Sequence, residues 1–265
     1  HMDAGWNSEL AQANIENLVK KLKVDLYTFV IDWNEYRTIL KSMIDSDVLD
    51  LEILYDNAMF SVNYQQAHKY GIKYILSGYN FTTEGISIPE DWCWFKYDSK
   101  NIKAFYRLAG KKRLKSFPTF GVLKYIYSKL IGIKWIPYLD YIKYDKEIAI
   151  EILKKNCSYK SYSHKHYESI FTRFYQGYIL PNKFKIDKRK AHFSSLIMSE
   201  QMTRSKALSL LKNSPYPSNE LLNEDYKYIC KKMKMSQKEF QKYLSRKPNS
   251  HINFPSELNL WNAFI

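Results

Sequence analysis

Residues 73–84, with the sequence KYILSGYNFTTE, constrain the fold of this chain more than any other stretch. Its apolar, partly β-branched beginning predicts a short β-strand. Gly78 ends that strand, and the polar side chains of Asn80, Thr83 and Glu84 follow directly. Ligands bind at the carboxyl ends of strands in open α/β sheets, so this turn is a candidate site. An ordinary strand exit with a helix N-cap is the structural alternative.

The segments before this strand predict a parallel arrangement. Residues 25–32, DLYTFVID, predict a second strand, and helical patterns at about 33–45 and 50–70 connect the two strands. A further helix is predicted before them, with Asn7 or Ser8 as its N-cap. This order is typical of a parallel sheet with crossover helices.

From about residue 99 onward helical patterns dominate. We therefore predict an α/β domain over residues 1–98 and a mainly helical domain over residues 99–265. The predicted helices of the second domain lie at about 99–109, 119–131, 144–155, 167–180, 187–197, 203–213, 219–233 and 236–244.

The chain is strongly basic, with 41 lysine and arginine residues against 27 aspartate and glutamate residues and a net charge of +14. Together with 23 tyrosines, this balance fits nucleic acid, an anionic membrane or phosphorylated small molecules as partners. An AT-rich genome produces the same lysine-rich and tyrosine-rich composition and is the alternative explanation.

The sequence shows no signal peptide and no apolar run of the length that a membrane span needs, so we expect no membrane insertion. The cysteines Cys93, Cys157 and Cys230 form no CxxC pair, which predicts neither disulfides nor a zinc site. Free thiols fit a reducing compartment, and we expect the cytoplasm.

A cluster of charged side chains occupies residues 163–173, SHKHYESIFTR. Lys165, His166, Glu168 and Arg173 fall in or just before a predicted helix start. Cations beside the free N–H groups of a helix N-terminus suit a phosphate or carboxylate, so these residues are candidate substrate ligands. A solvated basic surface is the alternative. A metal site is a third reading, but the spacing matches no standard motif and we predict no metal-binding residues.

A second basic segment covers residues 183–192, KFKIDKRKAH. Lys188 and Arg189 are its best candidates for a phosphate clamp. The alternative is a solvated helix start with Asp187 as the N-cap. Trp92, which follows the polar turn, is a candidate for stacking on a base or sugar, although core packing is the more common role.

Four stretches, in this order, resemble the N-acetyl sugar amidotransferase family of bacterial lipopolysaccharide O-antigen and flagellin-glycan pathways. They are DAGWNSE at 3–9, SGYNFTTEG at 77–85, KHYES running on to FYQ at 165–176, and KFKIDKRKAH with QMTR at 183–204. Members of this family are PP-loop ATP-pyrophosphatases. The resemblance therefore implies a partial PP-loop sheet, like that of the adenine nucleotide alpha hydrolases, followed by a mainly helical part.

The resemblance also implies a reaction, cofactors and partners. ATP, with Mg²⁺, would adenylate the acetamido oxygen of a nucleotide-activated or free N-acetylated sugar and release pyrophosphate. Ammonia would then displace AMP and leave an acetamidino group. A glutaminase subunit and a cyclase-like subunit that channels ammonia are the implied protein partners, and nucleic acid is not expected.

The resemblance distributes roles over the matching residues. Those implied to act at the reacting amide are Asn80, Thr83 and Glu84. Those implied to bind the nucleotide or its phosphates are Asp3, Gly5, Gly78, Lys188 and Arg189. Those implied to meet the sugar or its phosphate are Lys165, His166, Glu168 and Arg173.

Three departures from the family pattern are visible. The chain contains no SGGxDS phosphate-binding segment and no N-terminal cysteine pair, and Glu200 stands where a Ser-Gly-Gln turn would have glycine. We therefore expect this chain alone to bind ATP weakly and to turn it over little. Two alternatives are a tRNA-modifying PP-loop enzyme, which the basic charge favours, and a non-catalytic scaffold subunit.

Overall fold

The computed structural model describes residues 1–162 and 167–264. In this part of the chain thirteen α-helices surround two small parallel sheets. The helices are α1 (Glu9–Leu22), α2 (Trp33–Asp45), α3 (Ile53–Tyr70), α4 (Phe81–Glu84), α5 (Ser99–Leu108), α6 (Val122–Leu130), α7 (Lys146–Cys157), α8 (Ile170–Phe174), α9 (Arg189–Met198), α10 (Arg204–Leu211), α11 (Asn219–Met233), α12 (Gln237–Ser245) and α13 (Leu258–Phe264).

Each sheet contains two strands. Strand β1 (Met2–Asp3) pairs in parallel with β2 (Phe29–Val30), and β3 (Tyr74–Ser77) pairs in parallel with β4 (Lys134–Pro137). Strand β3 confirms the strand predicted over 73–77, but the two predicted strands pair with β1 and β4, which were not predicted, and lie in separate sheets; a PP-loop fold is not confirmed. The molecule is a mixed α/β protein that is mostly helical.

Two predicted segments differ from the structure. The strand expected over 25–32 is reduced to β2, because residues 25–28 are exposed and no element of the described chain covers the side chains of Leu26 and Tyr27. The helix expected over 167–180 begins as α8 and continues as a π-helix, Tyr175–Phe184. Wider π-helical turns are rare and frequent at functional sites.

The other helices lie close to their predicted positions because their start signals are local. The Asp32 carboxylate accepts a hydrogen bond from the Glu35 amide (2.9 Å) at the start of α2. The Thr203 hydroxyl does the same for the Lys206 amide (3.3 Å) at the start of α10. Such caps satisfy amides that have no partner within the helix.

The core is continuous across the predicted domain boundary. Buried side chains of α2 and α3 pack with those of α5, α8, the π-helix, α11 and α12. Strand β4 of the second predicted domain pairs with β3 of the first. The division at residue 98 stays a prediction.

His251 joins the C-terminal part of the chain to this core. Its ring stacks on Trp94 at 5.4 Å, and Nδ1 lies 2.8 Å from the Asn101 side-chain oxygen. Burial lowers the pKa of His251 to about 4. The unfolded chain therefore binds a proton near pH 6.5 that the folded chain does not accept until about pH 4.

We expect the free energy of unfolding to fall by about 3 kcal/mol as the pH drops from 7 to 4 through this one group. The contribution of His251 to the free energy of unfolding is fully present above its pKa in the unfolded chain. It is lost as the pH falls to its pKa in the folded chain. Urea unfolding at several pH values should show this slope in the native chain and lack it in His251→Phe, which keeps the stacking. The exposed His68 provides the control, because His68→Phe should retain the native slope. Equal slopes in the native chain and His251→Phe would contradict the assignment.

Candidate functional site

A cavity of about 500 Å³ opens where the exit of β3 meets α9 and the π-helix. Its lining includes four residues that the sequence singled out, which are Thr83, Glu84, Lys188 and Arg189. The remaining wall is mainly apolar and aromatic, with Tyr79, Trp92 and Phe193 among its members. Mostly apolar pockets with a few polar groups are the usual form of small-molecule sites.

Three hydrogen bonds attach the α4 region to α9 and so define one wall. The Ser199 hydroxyl donates to the Thr82 carbonyl (2.9 Å), and the Ile86 amide donates to the Ser195 hydroxyl (3.2 Å). His192 Nδ1 lies 3.3 Å from the Thr83 carbonyl. The turn after β3 and the basic segment of α9, which are distant in sequence, therefore line the same cavity.

Asn80 has a local structural task. Its side-chain oxygen accepts hydrogen bonds from the Thr83 amide (2.9 Å) and the Thr83 hydroxyl (3.1 Å), and its side-chain nitrogen donates to the Gly78 carbonyl (3.3 Å). Asn80 is buried and is the N-cap of α4, while Gly78 is exposed. The asparagine thus orients Thr83 and Glu84, which line the cavity themselves.

Lys188 is fixed by a residue that the sequence did not single out. Its Nζ lies 3.4 Å from Glu52 Oε2 and 6.0 Å from the centre of the Tyr175 ring. The same Glu52 oxygen accepts a hydrogen bond from Gln176 Nε2 at 3.0 Å. Glu52 therefore aligns an amide and an ammonium group of the cavity wall, and no local sequence signal distinguishes it from an ordinary acidic residue before a helix.

Arg189 lies in the wall with most of its guanidinium engaged. Its Nη2 lies 2.8 Å from Asp187 Oδ2, and its Nη1 donates to the Asn213 carbonyl at 3.0 Å. Asp187 Oδ1 also accepts from the Arg189 amide (3.0 Å), but the N-cap position of α9 is occupied by Lys188 and not, as predicted, by Asp187. A phosphate clamp at Arg189 would have to compete with this ion pair, whereas Lys188 has a longer contact to its carboxylate partner.

Arg173 lies elsewhere, in a buried network behind the cavity. It forms a bidentate pair with Asp225, at 2.7 and 2.8 Å, and its guanidinium lies over the Tyr167 ring at 5.7 Å. The Tyr216 hydroxyl donates to the same carboxylate. Burial, together with the hydrogen bond to Asp225, raises the pKa of Tyr216. Arg173 lines neither of the two cavities described here.

Replacing Arg173 by lysine is expected to lower the free energy of unfolding by about 1–2 kcal/mol, because an ammonium group cannot reproduce the two parallel hydrogen bonds to Asp225. Urea unfolding measures this loss. The exposed Arg107 provides the control, since Arg107→Lys should change stability by less than about 0.5 kcal/mol. An unchanged free energy of unfolding in Arg173→Lys would contradict this structural role and would favour a direct contact between Arg173 and the substrate.

Glu168 lies at a second cavity, of about 570 Å³, whose wall also includes Asn14, Tyr55 and Tyr162. Lys146 lines both cavities. Lys165 and His166, the other candidates of this segment, lie outside the described residues.

The predicted nucleotide-binding residues near the N-terminus surround a turn after β1. Asp3 Oδ1 accepts from the Gly5 amide at 2.7 Å, and Gly5 has a φ of +72°, which glycine adopts without strain. Lys232 donates to the Gly5 carbonyl and its Nζ lies 4.4 Å from the centre of the Trp6 ring. Neither Asp3 nor Gly5 lines the 500 Å³ cavity.

The turn between α9 and α10 explains one departure from the family pattern. Glu200 has a φ of +60°, in the left-handed region that favours glycine. Gln201 bonds to the start of α7, with its oxygen accepting from the Lys146 amide (3.3 Å) and its nitrogen donating to the Tyr144 carbonyl (2.9 Å). The turn is thus both a helix end and a support for Lys146.

Glu200→Gly is expected to raise the free energy of unfolding by about 0.5–1 kcal/mol, because it removes the strain of a side chain at positive φ. Glycine in place of the exposed Glu224, inside α11, should lower it by about 1 kcal/mol. Thermal or urea unfolding of both variants measures the contrast. A loss of stability at both positions would show that the Glu200 conformation costs little.

Within the described residues, no group of three or more His, Cys, Asp or Glu side chains could hold a metal ion. Mg²⁺ at a nucleotide site is usually held by one or two carboxylates, water and the phosphates themselves, and the wall of the 500 Å³ cavity includes two carboxylates, those of Glu84 and Asp187. Cys93, Cys157 and Cys230 are all free thiols.

The geometry is that of a mixed α/β protein with one small-molecule cavity built from a strand exit and a basic helix start. Residues 168–265 match the family model of the C-terminal domain of LPS biosynthesis proteins that are WbpG-like. This match is consistent with the predicted N-acetyl sugar amidotransferase family for the C-terminal part of the chain and suggests a role in LPS sugar biosynthesis. A comparison of the chain with curated proteins found no match.

The matched segment contributes the lining residues from Gln176 to Pro215, and the chain before it contributes those from Tyr79 to Trp92 together with Lys146 and Tyr167. In the described part of the chain no helix is both long and apolar enough to cross a membrane.

Proposed function

We propose that this chain carries the substrate site of an ATP-dependent N-acetyl sugar amidotransferase of LPS biosynthesis. The observation that supports this proposal is the single cavity that joins Glu84, at the exit of β3, to Lys188 and His192 of the WbpG-like segment. A carboxylate on one wall and a cation on another suit a ligand with an amide and a phosphate.

The proposed reaction has two steps. The acetamido oxygen of the sugar attacks the α-phosphorus of ATP, and the bond to pyrophosphate breaks. Ammonia then adds to the activated carbon, a proton is lost, and AMP leaves with the oxygen, which produces an acetamidino group. An amide oxygen is a poor leaving group until it is adenylated, so ATP supplies the activation.

The cavity residues have defined tasks in this proposal. Glu84 accepts a hydrogen bond from the acetamido N–H and raises the nucleophilicity of the amide oxygen, and it is the residue that would hold Mg²⁺. Lys188, kept in place by Glu52, offsets the negative charge of a phosphate. Trp92 and Tyr79 present aromatic surfaces to the sugar ring or base.

The test is mass spectrometry of products. The full-length natural protein is incubated with ATP, Mg²⁺, ammonium and a series of free and nucleotide-activated N-acetylated sugars. The expected product is 1 Da lighter than its substrate, because an oxygen is replaced by an NH group, and AMP forms in equal amount. AMP formation without a modified sugar, or binding of tRNA that falls steeply with salt, would contradict the proposal.

A further inference from the structure

One end of the molecule combines lysines with exposed apolar side chains and lies beside the second cavity, whose wall includes Asn14 and Tyr159. It is formed where α1 and α7 finish. The Asn14 side chain bonds to the amide and the carbonyl of Lys160, each at 2.9 Å, and Asn17 Nδ2 donates to the Ser158 carbonyl at 3.4 Å. The second half of α1 is therefore held against the segment that follows α7.

Six exposed lysines belong to this end, which we call the α1/α7 end. They are Lys20, Lys21, Lys23, Lys154, Lys155 and Lys160. Leu22 lies five residues beyond Asn17, or about 7.5 Å along the helix axis, so the last turn of α1 is close to the contact with residues 158–160. The acidic residues nearest in sequence are Glu16, Asp25 and Glu151.

Apolar side chains accompany these lysines. Leu22 is 59% exposed, Leu26 is 48% exposed and Ile152 is 55% exposed. Val24 and Tyr27 are also exposed, and every residue from 20 to 28 is open to solvent. A run of this kind with no covering element is unusual on a protein surface, where large apolar side chains are scattered singly.

Helix electrostatics explain only part of this composition. Lysines in the last turns of α1 and α7 complement the negative ends of the helix dipoles. This accounts for Lys20, Lys21, Lys154 and Lys155. It does not account for Lys23 and Lys160, which follow the helices, nor for the aliphatic side chains between them.

We propose that the α1/α7 end docks on the surface of an anionic phospholipid bilayer. The lysines match the negative headgroups in charge, and the apolar side chains can enter the boundary between headgroups and acyl chains. A nucleic acid would match the charge but would gain little from leucine, valine and isoleucine. The exposed lysines and apolar side chains of this end line neither cavity, although Asn14 belongs to the wall of the second one.

The test uses the purified chain with vesicles of mixed phosphatidylglycerol and phosphatidylcholine and with vesicles of phosphatidylcholine alone. Co-sedimentation should show binding to the anionic vesicles that declines with added NaCl, and little binding to the neutral ones. The quadruple variant Lys20→Glu, Lys21→Glu, Lys154→Glu and Lys155→Glu should lower the partition coefficient at least about 100-fold, because each lysine near the surface contributes about a factor of five.

A matched control separates this surface from net charge. Glutamate at the exposed lysines 227, 231, 238 and 242 changes the net charge equally but lies on α11 and α12, and it should lower partitioning by less than about 10-fold. A second variant, Leu22→Ser with Leu26→Ser, should lower it roughly 10-fold while the lysines remain. Circular dichroism confirms that each variant is folded.

Several outcomes would overturn the proposal. They include equal loss of binding in the two quadruple variants, equal binding to neutral vesicles, and an unchanged partition coefficient in the leucine variant. Oligonucleotide binding that needs the same lysines, without vesicle binding, would assign the surface to nucleic acid. A dimer that Leu22→Ser with Leu26→Ser disperses, again without vesicle binding, would assign it to self-association.

Discussion

Replacing Lys183 by methionine is expected to lower the free energy of unfolding by about 3–5 kcal/mol. The side chain of Lys183 is completely buried, and its ammonium group lies 2.8 Å from Asp47 Oδ1. It also donates to the carbonyls of Tyr243 and Arg246, at 2.6 and 2.8 Å. Methionine fills the volume but removes a donor from two carbonyls, of which that of Tyr243 keeps a hydrogen bond from the Arg246 amide (3.3 Å), and it leaves Asp47 paired with Arg246.

Urea unfolding followed by circular dichroism measures this effect, and Lys185→Met is the matched control. Lys185 belongs to the same basic segment but is exposed, so its replacement should change stability by less than about 0.5 kcal/mol. Similar values for the two variants would mean that the buried ammonium group of Lys183 contributes nothing beyond its hydrocarbon chain.

Glu84→Gln is expected to reduce acetamidino formation at least about 100-fold while the fold stays intact, in line with the loss of one positioned charged group at a reacting centre. Glutamine preserves the size of the side chain in the cavity wall but cannot carry the negative charge that the proposed reaction uses. The measurement is the rate of product formation by the full-length natural protein, followed by mass spectrometry.

Glu90→Gln is the control for this variant, because Glu90 is exposed on the 3₁₀ turn Glu90–Trp92 and does not line the cavity. It should retain the native rate. A native rate in Glu84→Gln would remove Glu84 from the reacting centre. A large loss of rate in both variants would indicate that the reaction depends on the conformation of the segment 84–90 and not on the carboxylate of Glu84.

The helices could be predicted because their signals are local. The pattern at 33–45 predicts α2 where the structure has it, and the Asp32 side chain caps its start. The strand at 73–77 and the turn after it were likewise visible from an apolar run, Gly78 and a group of polar side chains. Each of these signals involves residues only a few positions apart, so no knowledge of packing is needed.

The site was predictable only in part. Thr83, Glu84 and Lys188 were singled out from their own segments and do line one cavity. Glu52 was missed because its partner Gln176 is 124 positions away in the chain. Arg173 was assigned to the substrate, whereas its nearest carboxylate in the fold is that of Asp225.

The basic segment at 183–192 shows the same limit. Lys183 and Lys188 look alike in the sequence, yet the structure buries one among carbonyls and places the other at a cavity. The environment of Lys183 depends on how the π-helix packs against α12, and that of Lys188 depends on where α3 begins. The residues that determine both lie far from these lysines in the sequence.

The sequence by itself determined where most helices begin and end, that the strands run parallel, and which polar turn belongs to the resemblance to a sugar amidotransferase. These features depend on backbone preferences and capping within single segments. Only the tertiary structure decided that the strands form two separate pairs, and which cations are buried in ion pairs and which face the cavity. Those outcomes depend on desolvation and on partners brought together from distant parts of the chain, and no local sequence pattern predicts them.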